Sequence, residues 1–263
     1  MSPLRGCILG SSHVAALKVG YDQGILGVTL RFFAAMANEL ADTAVEGGRL
    51  VPTTAKVRQQ FELYSGGDGV VELSEYDFVA VAGAGPTFRN VATIYNSFRL
   101  GEHQFDDHPR RIISPALLRQ TVYDRLRGLV WFEVVQRIRP VVQSPILVFP
   151  TPCPGEGYLQ SEEARRMPPL EAVEAWEALY RVFLEVSGEL SAECGAVFVP
   201  QPAETMRVPG FARPELNRDP ARLRKPSKPD HFHMNGAFGR LAIEAMVAAL
   251  PAPATQLAGS APR

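Results

Sequence analysis

Residues 5–9 read Arg-Gly-Cys-Ile-Leu and are stopped by Gly10. This is a short apolar run with no polar alternation, the pattern of a strand covered on both faces. Similar runs recur along the chain: 26–34 (LGVTLRFFA), 77–82 (DFVAVA), 145–149 (PILVF) and 195–199 (GAVFV). Each is closed by glycine, proline or a polar residue. Between them lie stretches with helical character. Ser114 followed by Pro115 is a capping hydroxyl with proline at the first helical position, and the pattern predicts a helix from there to about Arg139, where Pro140 stops it. Residues 169–190 read as a long amphipathic helix, and 235–249 as a last helix capped by Asn235. Residues 49–73, broken by Pro52 and by Ser65-Gly66-Gly67-Asp68-Gly69, read as a hairpin or excursion. Five apolar strands alternating with helices predict an α/β fold built on a parallel sheet with helices on both faces.

The 263 residues suit one domain, taken as 1–250, with a Pro/Ala/Ser-rich tail over 251–263 that reads as disordered. A formal net charge of −1 gives no global field toward nucleic acid or an anionic membrane. No apolar run reaches the roughly 20 residues that span a bilayer. The N-terminal segment lacks the long apolar region of a signal peptide, so the expected location is cytoplasmic. Cys7, Cys153 and Cys194 are odd in number and far apart, which fits a reducing compartment and offers no disulfide framework. No cysteine or histidine spacing suggests a zinc site, and no cofactor is expected. The oligomeric state is not legible.

In such a sheet, sites form beyond the carboxyl ends of the strands. Gly10-Ser11-Ser12-His13 follows the first apolar run, and Gly83-Ala84-Gly85-Pro86 follows the third. Asp230-His231-Phe232-His233-Met234-Asn235 precedes the last helix. The segment ILGSSH resembles the first block of the SGNH (GDSL-like) hydrolases, where an apolar strand ends in Gly-x-Ser and the serine is the nucleophile. DHFHMNGAFGRLAIEAM is similar to their last block, in which Asp-x-x-His precedes an apolar helix. The two blocks stand at opposite ends of the chain, as in that family. The resemblance implies a three-layer, flavodoxin-like sandwich and a serine esterase. Ser12 would be the nucleophile, His233 the base and Asp230 the group that orients it.

The chemistry needs these residue types. A serine hydroxyl is a poor nucleophile unless a base lies within hydrogen-bond reach. An imidazole is the side chain whose unperturbed proton affinity is nearest neutral pH, and a carboxylate fixes its tautomer. The sequence departs from the family pattern at four places. Ser11 stands where Asp or Asn is common, and His13 where an apolar residue follows the nucleophile. No glycine occurs near Ala35 to Asn38, and no asparagine in Gly83-Ala84-Gly85-Pro86. Candidate oxyanion or substrate contacts are therefore the Ser12 N–H, Gly83, Gly85, Asn38, Ser11 and His13, with Asn90 a further possible donor. Loss of one such donor lowers the rate about a hundred- to thousandfold.

Plainer readings stand beside these. Ser12 could cap the first helix, His233 could be a helix-entry residue packed on the sheet, and Asp230 could be a turn residue. His13 could be a supporting group, a substrate contact or a solvated helix residue. His231 reads as a loop residue, and Cys153 as a small buried hydrophobe. The run from Arg218 to Lys228, with Arg213 before it, could be a solvated loop or could capture an anionic substrate group. Three functions are carried forward: an esterase acting on a small-molecule or sugar ester, an acyltransferase with the same triad, and a non-catalytic ligand-binding protein.

Overall fold

The computed structural model describes residues 3–36, 38–103, 110–219 and 230–251. Strand β1 (Leu4–Gly10) leads into helix α1 (Val14–Asp22), and β2 (Val28–Ala34) follows. The next segment leaves the main sheet. Strands β3 (Thr43–Glu46), β4 (Arg49–Pro52) and β5 (Val71–Glu72) form a small antiparallel sheet, with helix α2 (Ala55–Ser65) between the last two. The chain then returns as β6 (Phe78–Thr87) and α3 (Phe88–Ala92), followed by the short parallel pair β7 (Phe98–Arg99) and β8 (Arg111–Ile112). Helices α4 (Pro115–Arg127) and α5 (Val130–Ile138) precede β9 (Ile146–Thr151). Helix α6 (Val173–Glu193) leads to β10 (Val197–Phe198). A two-strand ribbon, β11 (Met206–Val208) and β12 (Phe211–Ala212), and helix α7 (Gly236–Ala248) complete the described chain.

The main sheet has five strands in the order β10-β9-β6-β1-β2, and all its pairings are parallel. Numbered along the chain as core strands, that order is 2-1-3-4-5, the flavodoxin-like doubly wound arrangement. The apolar runs are apolar because both faces of the sheet are covered. Ile8, Phe32, Phe78, Ala80, Leu147 and Phe149 pack with α1 and α7 on one side. Cys7, Leu9, Phe33, Val79, Val81 and Val148 pack with α2 to α6 on the other. Successive residues of each strand thus serve opposite cores, and a polar residue on either face would be buried.

Three expected boundaries move. The helix expected from Ser114 to Arg139 is two helices, parted at Gly128-Leu129, with Ser114 capping the first through the N–H of Leu117 at 3.2 Å. The excursion contains α2, capped by Thr54 and ended by Gly66 at φ +83°. Strand β6 does not stop at Gly83. It shifts register after Ala82, with Gly83 at φ +74°, and Thr87 pairs again with Thr151. The tail beyond residue 251 lies outside the described residues.

The chain reverses its winding direction between β1 and β6, and a crevice opens there at the carboxyl ends of the strands. Gly10 and Ala82 are register partners at that point. A Cβ at Gly10 would come within 1.9 Å of the Ala82 carbonyl oxygen, so the close approach requires glycine.

Candidate functional site

Ser11 and Ser12 leave the end of β1 where the crevice begins. The Ser11 hydroxyl is buried and donates to the Gly83 carbonyl at 2.6 Å, tying the two strand ends together. Ser12 then turns outward. The first turn of α1 closes from the N–H of Val14 to the Ser11 carbonyl, so the N–H groups of Ser12 and His13 lie ahead of the turn and are not consumed by it. Helix α1 has no side-chain cap, which sets aside the plain reading of Ser12 as a capping residue. Its hydroxyl instead lies 2.9 Å from Nε2 of His233.

His233 comes from the loop before α7. Its Nδ1 is 2.9 Å from Oδ2 and 3.1 Å from Oδ1 of Asp230. Asp230 is itself fixed, because Oδ1 accepts the backbone N–H of Phe232 and of His233, each at 3.1 Å. Burial works against the charge on this carboxyl. The two backbone donors and the neighbouring imidazole outweigh it and hold Asp230 below its ordinary range. A hydroxyl, an imidazole and a carboxylate are thus joined by hydrogen bonds across 221 residues of sequence. Groups joined in that order can activate the hydroxyl: a ring so placed can accept its proton while the carboxylate fixes the ring's tautomer.

The loop is anchored from below. His233 accepts at its carbonyl from the N–H of Arg218 at 2.9 Å, and the N–H of Asn235 donates to Leu216 at 2.9 Å. The His231 carbonyl accepts from Gly155 at 2.8 Å. Asn235 caps α7 through the N–H of Phe238 at 3.2 Å. Phe232, between the two histidines, packs edge-on to Tyr158 and lies under the Arg89 guanidinium, 5.0 Å from its ring centroid. The sequence offered no signal for these supports beyond the cap, because they come from segments distant in the chain.

His13 is partly buried, and its ring stacks on that of His233 with centroids 4.9 Å apart. Burial lowers its pKa to about 4, reinforced by the His233 charge and partly opposed by Asp230. A groove of about 250 Å³ is lined by Ser12, His13, Val19, Arg218, Asp219 and His233, among others. A larger cleft of about 630 Å³ lies toward the amino ends of β1 and β2. Its walls are charged side chains paired with each other, such as Arg5 with Glu75 and Arg31 with Asp68. We place the candidate site in the smaller groove, because there a serine hydroxyl meets an imidazole that a carboxylate holds in turn.

The remaining candidates sort by position. Gly83 lies against His13, and its carbonyl accepts from Ser11. Gly85 is pressed against β9, where a Cβ would meet the Phe149 carbonyl oxygen at 2.2 Å. Its carbonyl accepts the Thr151 hydroxyl at 3.2 Å. Asn38 is exposed in the turn after β2 and is not among the groove residues. Asn90 lies in α3, where its carbonyl accepts from Thr93 and Arg125. His231 packs over Gly157, whose added Cβ would meet its ring at 2.7 Å. Cys153 is fully buried, and burial pushes its thiol up, away from the reactive thiolate. Arg213 faces Glu215 at 3.9 Å, and Arg218 lines the groove. The rest of the basic run, from 220 on, lies outside the described residues. Among those described, no group of His, Cys, Asp and Glu could hold a metal ion, and no helix is long and apolar enough to cross a membrane.

No family model matches the sequence, and no curated protein matches it. Two solved structures are similar in outline. One is a protein of Streptococcus pneumonia provisionally described as a platelet activating factor, at 11% identity and a TM-score of 0.42, covering 94% of this chain and 84% of that one. The other is an extracellular lipase from Streptomyces rimosus, at 11% identity and a TM-score of 0.45, covering 94% of this chain and 99% of that one.

Proposed function

We propose that the chain is a serine esterase of the SGNH (GDSL-like) kind, moving an acyl group from a small-molecule or sugar ester to water. The observation that carries this reading is the hydrogen-bonded line from Ser12 through His233 to Asp230. Ser12 Oγ attacks the ester carbonyl while its proton passes to Nε2 of His233. Asp230 accepts from Nδ1 and stabilises the ring as it becomes charged. The oxyanion falls to the Ser12 N–H, ahead of the first turn of α1, with an amide of Gly83 or Gly85. The tetrahedral intermediate collapses as His233 gives its proton to the leaving alcohol, which departs and leaves an acyl group on Ser12. Water then attacks the acyl-serine, gives a proton to His233, and releases the acid with Ser12 restored. No metal or organic cofactor enters these steps.

The groove is small, about 250 Å³ among the described residues, which suits a small ester. A sugar hydroxyl in place of water would make the same acyl-serine an acyltransferase intermediate, and product analysis with added acceptors separates the two outcomes. The decisive experiment is labelling with a serine-reactive fluorophosphonate. Wild type is expected to label, and Ser12→Ala and His233→Ala are not. Equal labelling of all three would end the reading, and loss only in Ser11→Ala would move the nucleophile back by one residue.

A further inference from the structure

His13 has no part in the proton path just described, yet the structure builds a place for it. Its ring and that of His233 lie face to face, with centroids 4.9 Å apart and planes 23° from parallel. Gly83 clears the space: a Cβ there would stand 2.6 Å from the Cβ of His13. That glycine is pinned by the Ser11 hydroxyl at its carbonyl, so the clearance is a fixed feature of the crevice.

The buried ring nitrogen of His13 does not account for its position. Nδ1 is buried and, among the described residues, without a hydrogen-bond partner. A ring placed for hydrogen bonding would not leave its buried nitrogen orphaned. What the ring contacts is the flat face of the base. The titratable and charged groups around it are His233 and Asp230 from the loop before α7, with Arg218 and Asp219 along the same groove. Burial keeps His13 neutral, with a pKa lowered to about 4. A neutral aromatic ring therefore lies under an imidazole that gains a proton during the reaction, and such a face attracts a cation.

Asp230 restrains His233 at one edge, through Nδ1. That contact leaves the ring free to tilt about the line joining the two groups, and tilt would swing Nε2 off the Ser12 hydroxyl. A ring stacked on its face removes that freedom. Resting on the acyl-transfer reading, we propose that His13 is a positioning residue that fixes the plane of the His233 imidazole by stacking, so that Nε2 meets Ser12 while Nδ1 meets Asp230.

The test compares wild type, His13→Ala, His13→Phe and Ser12→Ala, with two readouts. One is the downfield proton resonance of His233 Nδ1–H bonded to Asp230. The other is the rate of fluorophosphonate labelling between pH 5 and 8. In His13→Ala the resonance broadens or disappears, and labelling slows about tenfold, the upper end of what an aromatic pair contributes. His13→Phe keeps a flat ring and restores both. If His13→Ala leaves the resonance and the rate as in wild type, or if His13→Phe is as impaired as His13→Ala, the positioning role is overturned. Failure of the parent reading looks different: wild type does not label, or Ser12→Ala labels equally fast. The resonance still decides the positioning role in that case.

Discussion

Gly83 and His13 occupy one space: the glycine takes the left-handed conformation, φ +74°, and leaves no room for a Cβ beside the Cβ of His13. The bulge that shifts β6 out of register after Ala82 thereby decides where the residue after Ser12 can go. It also aims the Gly83 carbonyl at the Ser11 hydroxyl.

Gly83→Ala is accordingly expected to act at a distance from its own strand. A left-handed alanine costs about 1–2 kcal/mol, and the contact with His13 adds to it. We expect a loss of roughly 2–4 kcal/mol in urea denaturation. Fluorophosphonate labelling of the folded fraction should slow as well. A melt and a labelling rate both equal to wild type would show that the bulge does not hold His13.

Asp230 separates geometry from charge. Its Oδ1 accepts two backbone N–H groups, and Asn would keep an acceptor there, so Asp230→Asn should retain the loop. The amide, however, cannot enforce the tautomer that leaves Nε2 free to accept from Ser12. We expect labelling of Ser12 to fall about 10³–10⁴-fold with little change in stability. Labelling within a few-fold of wild type would remove Asp230 from the mechanism.

Much of the main sheet was legible because both its faces are buried. β1, β6 and β9 carry apolar side chains on consecutive residues, and only a strand between two cores needs that. α2 was harder to read. Its sequence is mostly polar, and only Val57, Phe61 and Ser65 are buried, at i, i+4 and i+8. The cap at Thr54 and Gly66 were there to be read, but the turn signals around them, Pro52 and Ser65-Gly66-Gly67-Asp68-Gly69, dominated the pattern. β10 is only two residues long, although 195–199 is apolar throughout: only Val197 and Phe198 pair with β9, after Gly195 at φ +66° and before Pro200. At the site, Ser12, Asp230 and His233 could be picked out by type and spacing. The stack of His13 on His233 could not, since it depends on the backbone conformation of Gly83.

Acid should destabilise the fold through His13. Its pKa is lowered from 6.5 to about 4, so between those values the unfolded chain binds a proton that the folded chain does not. Stability therefore rises with pH across that window and is lost as pH falls through it. Asp230, held below its ordinary value of 3.8, adds a loss of the same sign at lower pH. Thermal melts from pH 7 to 4 should fall steadily for wild type and less steeply for His13→Phe. Parallel curves for the two proteins would assign the acid sensitivity elsewhere.

Among the described residues, Arg218 gives the groove a cation. Its backbone N–H holds the His233 carbonyl, and the residue lines the groove beside Ser12. A charge-assisted hydrogen bond to an anionic group is worth about 1.5–3 kcal/mol. Arg218→Ala should therefore raise KM roughly ten- to hundredfold for an ester bearing a carboxylate or phosphate. A neutral ester of the same size should be little affected. Equal losses on both esters would mean that Arg218 supports the loop through its main chain and does not select substrate.

The last prediction concerns how Ser12 and His233, at opposite ends of the chain, keep a 2.9 Å contact. Each precedes a helix, and those helices, α1 and α7, pack against each other through glycines. A Cβ at Gly239 would come within 1.9 Å of the Ala16 carbonyl oxygen, and one at Gly20 within 2.3 Å of the Arg240 nitrogen. Both clashes are with backbone, which has no rotamer to yield. Gly239→Ala must therefore push one helix off the other. Alanine favours a helix by about 1 kcal/mol over glycine, while overpacking against backbone costs about 1–3 kcal/mol or more, so the steric effect wins. Because Ser12 and His233 stand just ahead of these two helices, their separation should lengthen the Ser12–His233 contact. Labelling should slow more than tenfold, the change expected when a reacting geometry slips by about 1 Å. Gly188→Ala is the control: Gly188 lies in α6, and an added Cβ there meets nothing within 4 Å. It should label at the wild-type rate and melt no lower. If Gly239→Ala matches it in both respects, the α1–α7 contact does not set the geometry of the site.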